Sequence, residues 1–177
     1  MRIIGGRNRG RKLKAPAGTD TRPTLDKVRG AVFNVLFDVT DCSVLDLFGG
    51  SGAMAFEAMS RGAAKAVIVE KNKAAFKVLN ENKTALGYGE EADLRLSDYK
   101  TALRQGDCFD LIFLDPPYQR GMLEDALELI DKKKVLAPDG IIVAETAADH
   151  DFICPVPAFS LWKEKQYGIT KIIFFKN

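Results

Sequence analysis

The 177-residue sequence predicts an α/β fold around a mostly parallel, seven-stranded sheet, on three observations. From residue 43 to residue 146, short apolar segments alternate with segments of helical periodicity, the pattern of a parallel sheet with crossover helices. At residues 43–52, S-V-L-D-L-F-G-G-S-G, an apolar run of Val44, Leu45, Leu47 and Phe48 is interrupted by Asp46 and then breaks into glycines, as a strand covered on both faces and feeding a ligand loop should. At the end of the chain two β-rich stretches, 159–167 and 169–176, meet at Gly168 with no helix between them and read as an antiparallel hairpin. Five strand–helix units closed by a hairpin differ from the two equal halves of a dinucleotide-binding dehydrogenase.

The elements follow in order. Residues 1–14 alternate Ile3, Ile4 and Leu13 with Gly5, Gly6, Gly10 and a series of arginines, which suggests a short hairpin presenting cations. Pro16, Gly18 and Pro23 mark a loop. Thr24 is the expected N-cap of a helix over 24–37, where Leu25, Val28, Val32, Val35 and Leu36 recur at helical spacing. Strands are expected at 43–48, 66–70, 92–97, 109–114 and 140–146, and helices at 53–61, 72–86, 98–105 and 121–134. The organisation expected is a basic N-terminal extension, 1–40, packed on a larger domain, 41–177, as one compact unit.

Composition narrows the classes. Hydrophobic residues make up 46% of the chain, enough for one well-buried domain. The opening residues lack an apolar signal region and no run is long enough to span a bilayer, so a soluble protein is expected. Cys42, Cys108 and Cys154 are odd in number and widely spaced, which implies neither a disulfide framework nor a zinc site and fits a reducing cytoplasm. Net charge is only +2, yet residues 1–30 hold nine Lys/Arg against two Asp. A basic arm on a mildly acidic body suggests contacts to a phosphate backbone.

Two stretches carry the chemistry. Gly49, Gly50 and Gly52 let the backbone turn and approach a ligand, and the helix that follows aims its free N–H groups at the same loop. The strand ending on Glu70 places an acidic residue about twenty positions downstream, where it would grip ribose hydroxyls. This pair leaves a nicotinamide dinucleotide and S-adenosylmethionine both open. The second stretch is Asp115-Pro116-Pro117-Tyr118, directly after the fourth strand, F-D-L-I-F-L. Two prolines stiffen the turn and remove two N–H donors, leaving the Asp115 carboxylate and the Pro116 carbonyl as fixed acceptors beside the flat face of Tyr118. That set suits an aromatic amine, whose N–H groups meet the acceptors while its ring stacks on the tyrosine. A base turned out of a nucleic-acid stack would regain part of the lost stacking there. His150 has no second histidine near it in sequence and receives no catalytic role.

L-D-L-F-G-G-S-G, Glu70, L-S-D-Y around Asp98 and D-P-P-Y together resemble the motifs of class I S-adenosylmethionine-dependent methyltransferases acting on amino nitrogens. The opening R-I-I-G-G-R-N-R-G-R-K-L and T-R-P-T-L-D-K-V-R-G-A-V-F-N-V-L resemble, more narrowly, the RsmD family, over nearly the whole chain. The resemblance implies a Rossmann-like methyltransferase fold and methylation of the N2 amine of a guanosine in small-subunit ribosomal RNA, free or in an assembled subunit. It implies that Asp46, Phe48 and the Gly49, Gly50 and Gly52 backbone hold the methionine end of S-adenosylmethionine, Glu70 the ribose and Asp98 the adenine amine. Asp115, Pro116 and Tyr118, with Pro117, would hold the guanine, and Arg7, Arg9, Arg11, Lys12, Arg22 and Arg29 the RNA. No metal is expected, and the protein is expected to be a cytoplasmic monomer. An adenine-N6 methyltransferase on DNA or RNA is the alternative, although the chain has no room for a sizeable target-recognition region. A non-catalytic RNA-binding module is more distant, and a dehydrogenase is disfavoured by the Asp-Pro-Pro-Tyr segment.

Overall fold

The computed structural model describes residues 1–16, 23–117 and 121–177. Its single sheet has seven strands: β1 (Ser43–Asp46), β2 (Lys65–Glu70), β3 (Ala92–Leu96), β4 (Phe109–Leu114), β5 (Leu136–Ala147), β6 (Ser160–Tyr167) and β7 (Thr170–Lys176). Their order is β3-β2-β1-β4-β5-β7-β6. The first five strands pair in parallel, and β7 enters antiparallel between β5 and β6. The chain therefore winds outward from β1 to β3 and then returns to β4. That reversal opens a crevice at the carboxyl ends of β1 and β4, where open α/β sheets bind ligands.

Alternation along the central strands divides the core into two layers. Val44, Ile68 and Phe113 face helices α1 (Pro23–Leu36), α2 (Ala53–Ser60) and α3 (Lys73–Leu86), where they meet Val32, Phe56 and Leu79. Leu45, Val69, Ile112 and Leu114 face α4 (Tyr99–Ala102) and α5 (Met122–Lys133), against Leu123, Leu127 and Ile130. Asn72 caps α3, accepting hydrogen bonds from the Ala74 and Ala75 N–H groups at 2.8 and 3.1 Å, and Gly87 closes the helix in a left-handed turn. Several expected bounds shift: β1 ends at Asp46 and not at 48, and β5 begins at Leu136 and not at 140. Helix α1 begins at Pro23, a favoured first helical residue, ahead of the expected cap at Thr24. The helix expected over 98–105 is a single turn, because Leu103 is already extended.

The first sixteen residues are fastened to this body by buried polar groups as well as by Ile3 and Leu13. A hairpin-like loop closes through Arg2 and Lys12. Glu57 of α2 is 0% exposed, and its carboxylate accepts the Ile4 and Gly5 N–H groups at 2.8 Å each. It also pairs with Arg61 at 2.8 Å and Arg29 at 3.4 Å. Asn82 of α3, likewise buried, exchanges two hydrogen bonds with the Lys14 backbone and donates a third to the Ser51 carbonyl, all at 2.9 Å. One amide thus ties the N-terminal arm to the glycine loop.

Truncating Glu57 leaves the Arg29 guanidinium buried beside an empty site and orphans two backbone donors. Glu57→Ala is expected to lose about 3–5 kcal/mol of stability in urea unfolding, and a change within experimental error would contradict the fastening role of this carboxylate.

Candidate active site at the carboxyl edge of the sheet

The glycine loop leaves β1 beside the crevice, and its three glycines serve different needs. A Cβ on Gly49 would stand 2.4 Å from Ile68 Cγ2, and one on Gly52, at φ +80°, 2.4 Å from the Phe56 ring, so packing excludes side chains at both. A Cβ on Gly50 would meet only the Phe48 carbonyl, at 4.0 Å, and Gly50, at φ +52°, lines the cavity. Glu70 holds this loop in place: one carboxylate oxygen accepts the Gly50 N–H at 2.9 Å and the other the Asn72 N–H at 2.7 Å. Each oxygen keeps a lone pair for a further donor.

Two chambers adjoin here, with Phe48, Gly50 and Asp115 in the walls of both. One, about 460 Å³, is lined by Glu70, Ser97, Tyr99, Pro116, Pro117 and Met122, with Phe48 against Tyr99 at a centroid distance of 5.2 Å. The other, about 210 Å³, is bounded by Asp46, Asp115, Glu145 and Arg29 and by apolar Val28, Met54 and Phe113. Asp98 caps the short helix α4, accepting the Lys100 N–H at 3.0 Å, and lies 3.6 Å from the Lys71 ammonium. Among the described residues no group of three or more His, Cys, Asp or Glu side chains is placed to hold a metal ion.

Three carboxylates, Asp46, Asp115 and Glu145, share this edge with Arg29 and Lys71 in the chamber walls. Asp46 is 4% exposed, and burial pushes its carboxyl up to about 7 against the opposing hydrogen bonds from the Phe48 and Ala55 backbone, with Glu70 adding to the rise. Asp115 keeps exposed surface where it lines the cleft, yet protein crowds its carboxyl. That enclosure, then the Glu145 carboxylate and then Asp46, hold Asp115 well above the usual carboxylate range. The carboxylates of this edge suit a ligand that brings hydrogen-bond donors.

The basic residues divide. Arg7, which lies 4.9 Å over the Tyr88 ring, and Arg9 and Lys12 are exposed on the N-terminal loop. Arg11 reaches the Ala85 and Leu86 carbonyls at the end of α3. Arg29, expected on the RNA side, is 4% exposed and paired with Glu57 and Asp26, so the structure gives it an internal partner and not the open position of a phosphate contact. Tyr118 and Arg22 lie outside the described residues. Sequence reasoning missed Glu57, Asn82 and Glu145. An acidic residue in an apolar helix and one in an apolar strand were the available signals for Glu57 and Glu145, whereas nothing in the sequence marked Asn82.

A sheet of this order, with its glycine loop after β1 and an Asp-Pro-Pro turn after β4, is the class I methyltransferase fold. The family described as Conserved hypothetical protein 95 matches residues 1–176, and the chain belongs to this family, the RsmD family. It is 37% identical to the putative rRNA methyltransferase YlbH of Bacillus subtilis over 100% of this chain and 99% of that protein. It is 38% identical to the ribosomal RNA small subunit methyltransferase D of Escherichia coli over 95% of this chain and 85% of that one. The solved structure of a putative methyltransferase, yhhF, from Escherichia coli superposes with a TM-score of 0.91 at 32% identity, covering 100% of this chain and 97% of the other.

The position of Asp46 has a pH signature. Asp46 is protonated in both folded and unfolded states below about pH 4, and from there to about 7 only the unfolded chain gains by ionising it. Its contribution is therefore fully present at low pH and lost as pH rises through 7. Without ligand, Asp46→Asn is expected to gain roughly 2–3 kcal/mol on the wild type between about pH 5 and pH 8, read from urea midpoints. Parallel stability curves would contradict the burial of this charge.

Proposed function

We propose that this protein transfers a methyl group from S-adenosylmethionine to the exocyclic N2 amine of a guanosine in small-subunit ribosomal RNA. The observation that carries the reading is the rigid acceptor set of Asp115 and Pro116 beside a carboxylate-rimmed glycine loop. Membership of the RsmD family and the names of its relatives support methylation of ribosomal RNA as the reaction class.

The donor set fits the cofactor. A sulfonium and an α-amino group suit Asp46, ribose hydroxyls suit Glu70, and the adenine amine suits Asp98, with Phe48 and the Gly50 backbone between them. Bound there, S-adenosylmethionine supplies an electrophilic methyl group.

The protein's own residues prepare the acceptor. An exocyclic amine on a purine is a weak nucleophile because its lone pair is delocalised into the ring. Asp115 and the Pro116 carbonyl, fixed by the two prolines, accept the amine N–H groups and favour the pyramidal, attacking form as positive charge develops on nitrogen. The raised proton affinity of Asp115 lets its carboxylate hold the proton the amine gives up. Tyr118 is proposed to stack on the extruded base. Arg7, Arg9 and Lys12, exposed on the N-terminal loop, would follow the RNA backbone.

The test is transfer of labelled methyl to unmethylated small subunits, free small-subunit RNA and duplex DNA, followed by nucleoside digestion. N2-methylguanosine from a ribosomal sample is expected, and label in N6-methyladenine would contradict the reading. Asp115→Asn should slow transfer by about 100-fold or more while S-adenosylhomocysteine still binds, and loss of both together would make Asp115 structural.

A further inference from the structure

The outer strand of the C-terminal hairpin carries cations that the proposed chemistry does not use. Side chains of β6 alternate between the two faces of the sheet, and its register with β7 assigns each face. Lys163 stands opposite Phe174 and Lys165 opposite Ile172, both of the core layer that holds α1, and Lys176 lies two residues beyond Phe174 on the same face. Glu164 stands opposite Ile173 of the other layer, where it pairs with Lys171 at 3.8 Å. The acid of the strand is thus turned away from its lysines. Among the described residues no carboxylate pairs with Lys163, Lys165 or Lys176.

The lysines are organised and they adjoin the cleft. A bulge between Leu161 and Lys163 leaves Trp162 edge-on to Phe174, with ring centroids 6.0 Å apart. The Lys176 ammonium lies 4.0 Å over the Trp162 ring and the Lys163 ammonium 5.9 Å, so the exposed indole steadies two of the three charges. Ile172, which lines the smaller chamber, pairs with Glu145 on one side and with Lys165 on the other. At about 4.8 Å per strand, Lys165 stands roughly 14 Å from Asp115 along the same sheet. The open cations of the N-terminal loop lie over the other half of the molecule, where Arg7 covers Tyr88 after α3.

A polymer that sends one base into the chamber must lay its neighbouring phosphates over the surface around it. Resting on the reading that the acceptor base belongs to RNA, we propose that Lys163, Lys165 and Lys176, with Trp162 holding Lys176, form a second contact to the RNA backbone, so that the RNA straddles the cleft between the N-terminal loop and β6. Ammonium groups suit this task because they neutralise phosphates without reading bases. Lysines on an edge strand also deter pairing with another sheet, but that role needs neither a shared face nor an indole beneath them.

The experiment is equilibrium binding of unmethylated small-subunit RNA at a series of salt concentrations. It compares the wild type with a triple variant, Lys163→Gln, Lys165→Gln and Lys176→Gln. A charge-matched control carries Lys132→Gln, Lys133→Gln and Lys134→Gln at the end of α5, in the opposite layer. The triple variant should bind RNA about tenfold or more weakly near 0.1 M salt, with the slope of log affinity against log salt reduced by about 2 to 3. The control should keep the wild-type slope, and both should keep S-adenosylhomocysteine binding and the unfolding midpoint. Should the triple variant fail to fold, Lys165→Glu alone, at an exposed position, should weaken RNA binding by about tenfold. Equal losses in variant and control, or no loss in either, would overturn the proposal. So would normal RNA binding with a defect confined to assembled subunits, which would make the partner a protein. In each of those cases a wild type that methylates ribosomal RNA leaves the proposed function standing, whereas a wild type that neither binds nor methylates that RNA would overturn both.

Discussion

The parallel register of β1, β4 and β5 delivers Asp46, Asp115 and Glu145 to one edge of the sheet, and much of the molecule can be understood from the cost of that arrangement. Like charges in a poorly hydrated cleft repel one another and lose solvation. The fold sustains them because the strands below are buried on both faces, with Val44, Phe113 and Phe174 in one core layer and Leu45, Ile112 and Leu114 in the other. The cost is also the basis of selectivity. A cleft rimmed by acceptors favours a ligand that brings a positive charge and N–H or O–H groups.

The N-terminal arm completes the cleft. Met1 and Pro16 line the smaller chamber, and the arm is held there by Glu57 and Asn82. Arg29 lines the same chamber while its charge balances Glu57 and Asp26. A basic sequence therefore separates into cations that build the structure, Arg29 and Arg11, and cations that remain open on the loop, Arg7, Arg9 and Lys12.

Much of this was legible in the sequence, and the exceptions have physical reasons. The strands were readable because their apolar runs stop at carboxylates or turn residues, and β4 is found where it was expected, at Phe109–Leu114. The hairpin was readable from its turn at Gly168. Helix α4 was overextended because periodicity does not register that the backbone becomes extended at Leu103. The glycine loop read as uniformly ligand-facing, yet a side chain at Gly49 would meet Ile68 and one at Gly52 would meet Phe56 and Leu79, and Ile68 and Leu79 are brought near only by the fold. Partnerships across long separations, Glu57 with Ile4 and Asn82 with Lys14, leave no periodic trace.

The most direct test of this account is calorimetric titration of S-adenosylmethionine from about pH 5.5 to pH 9, in buffers of different ionisation enthalpy, for the wild type and Asp46→Asn. With Asp46 titrating at about 7 in the free protein, a cationic ligand should expel a proton from the wild type near neutrality and bind more tightly as pH rises through that value. The proton release should vanish at the alkaline end and be diminished in Asp46→Asn. Identical proton counts for the two proteins across the whole range would contradict the claim that a crowded, partly protonated carboxylate edge selects the cofactor.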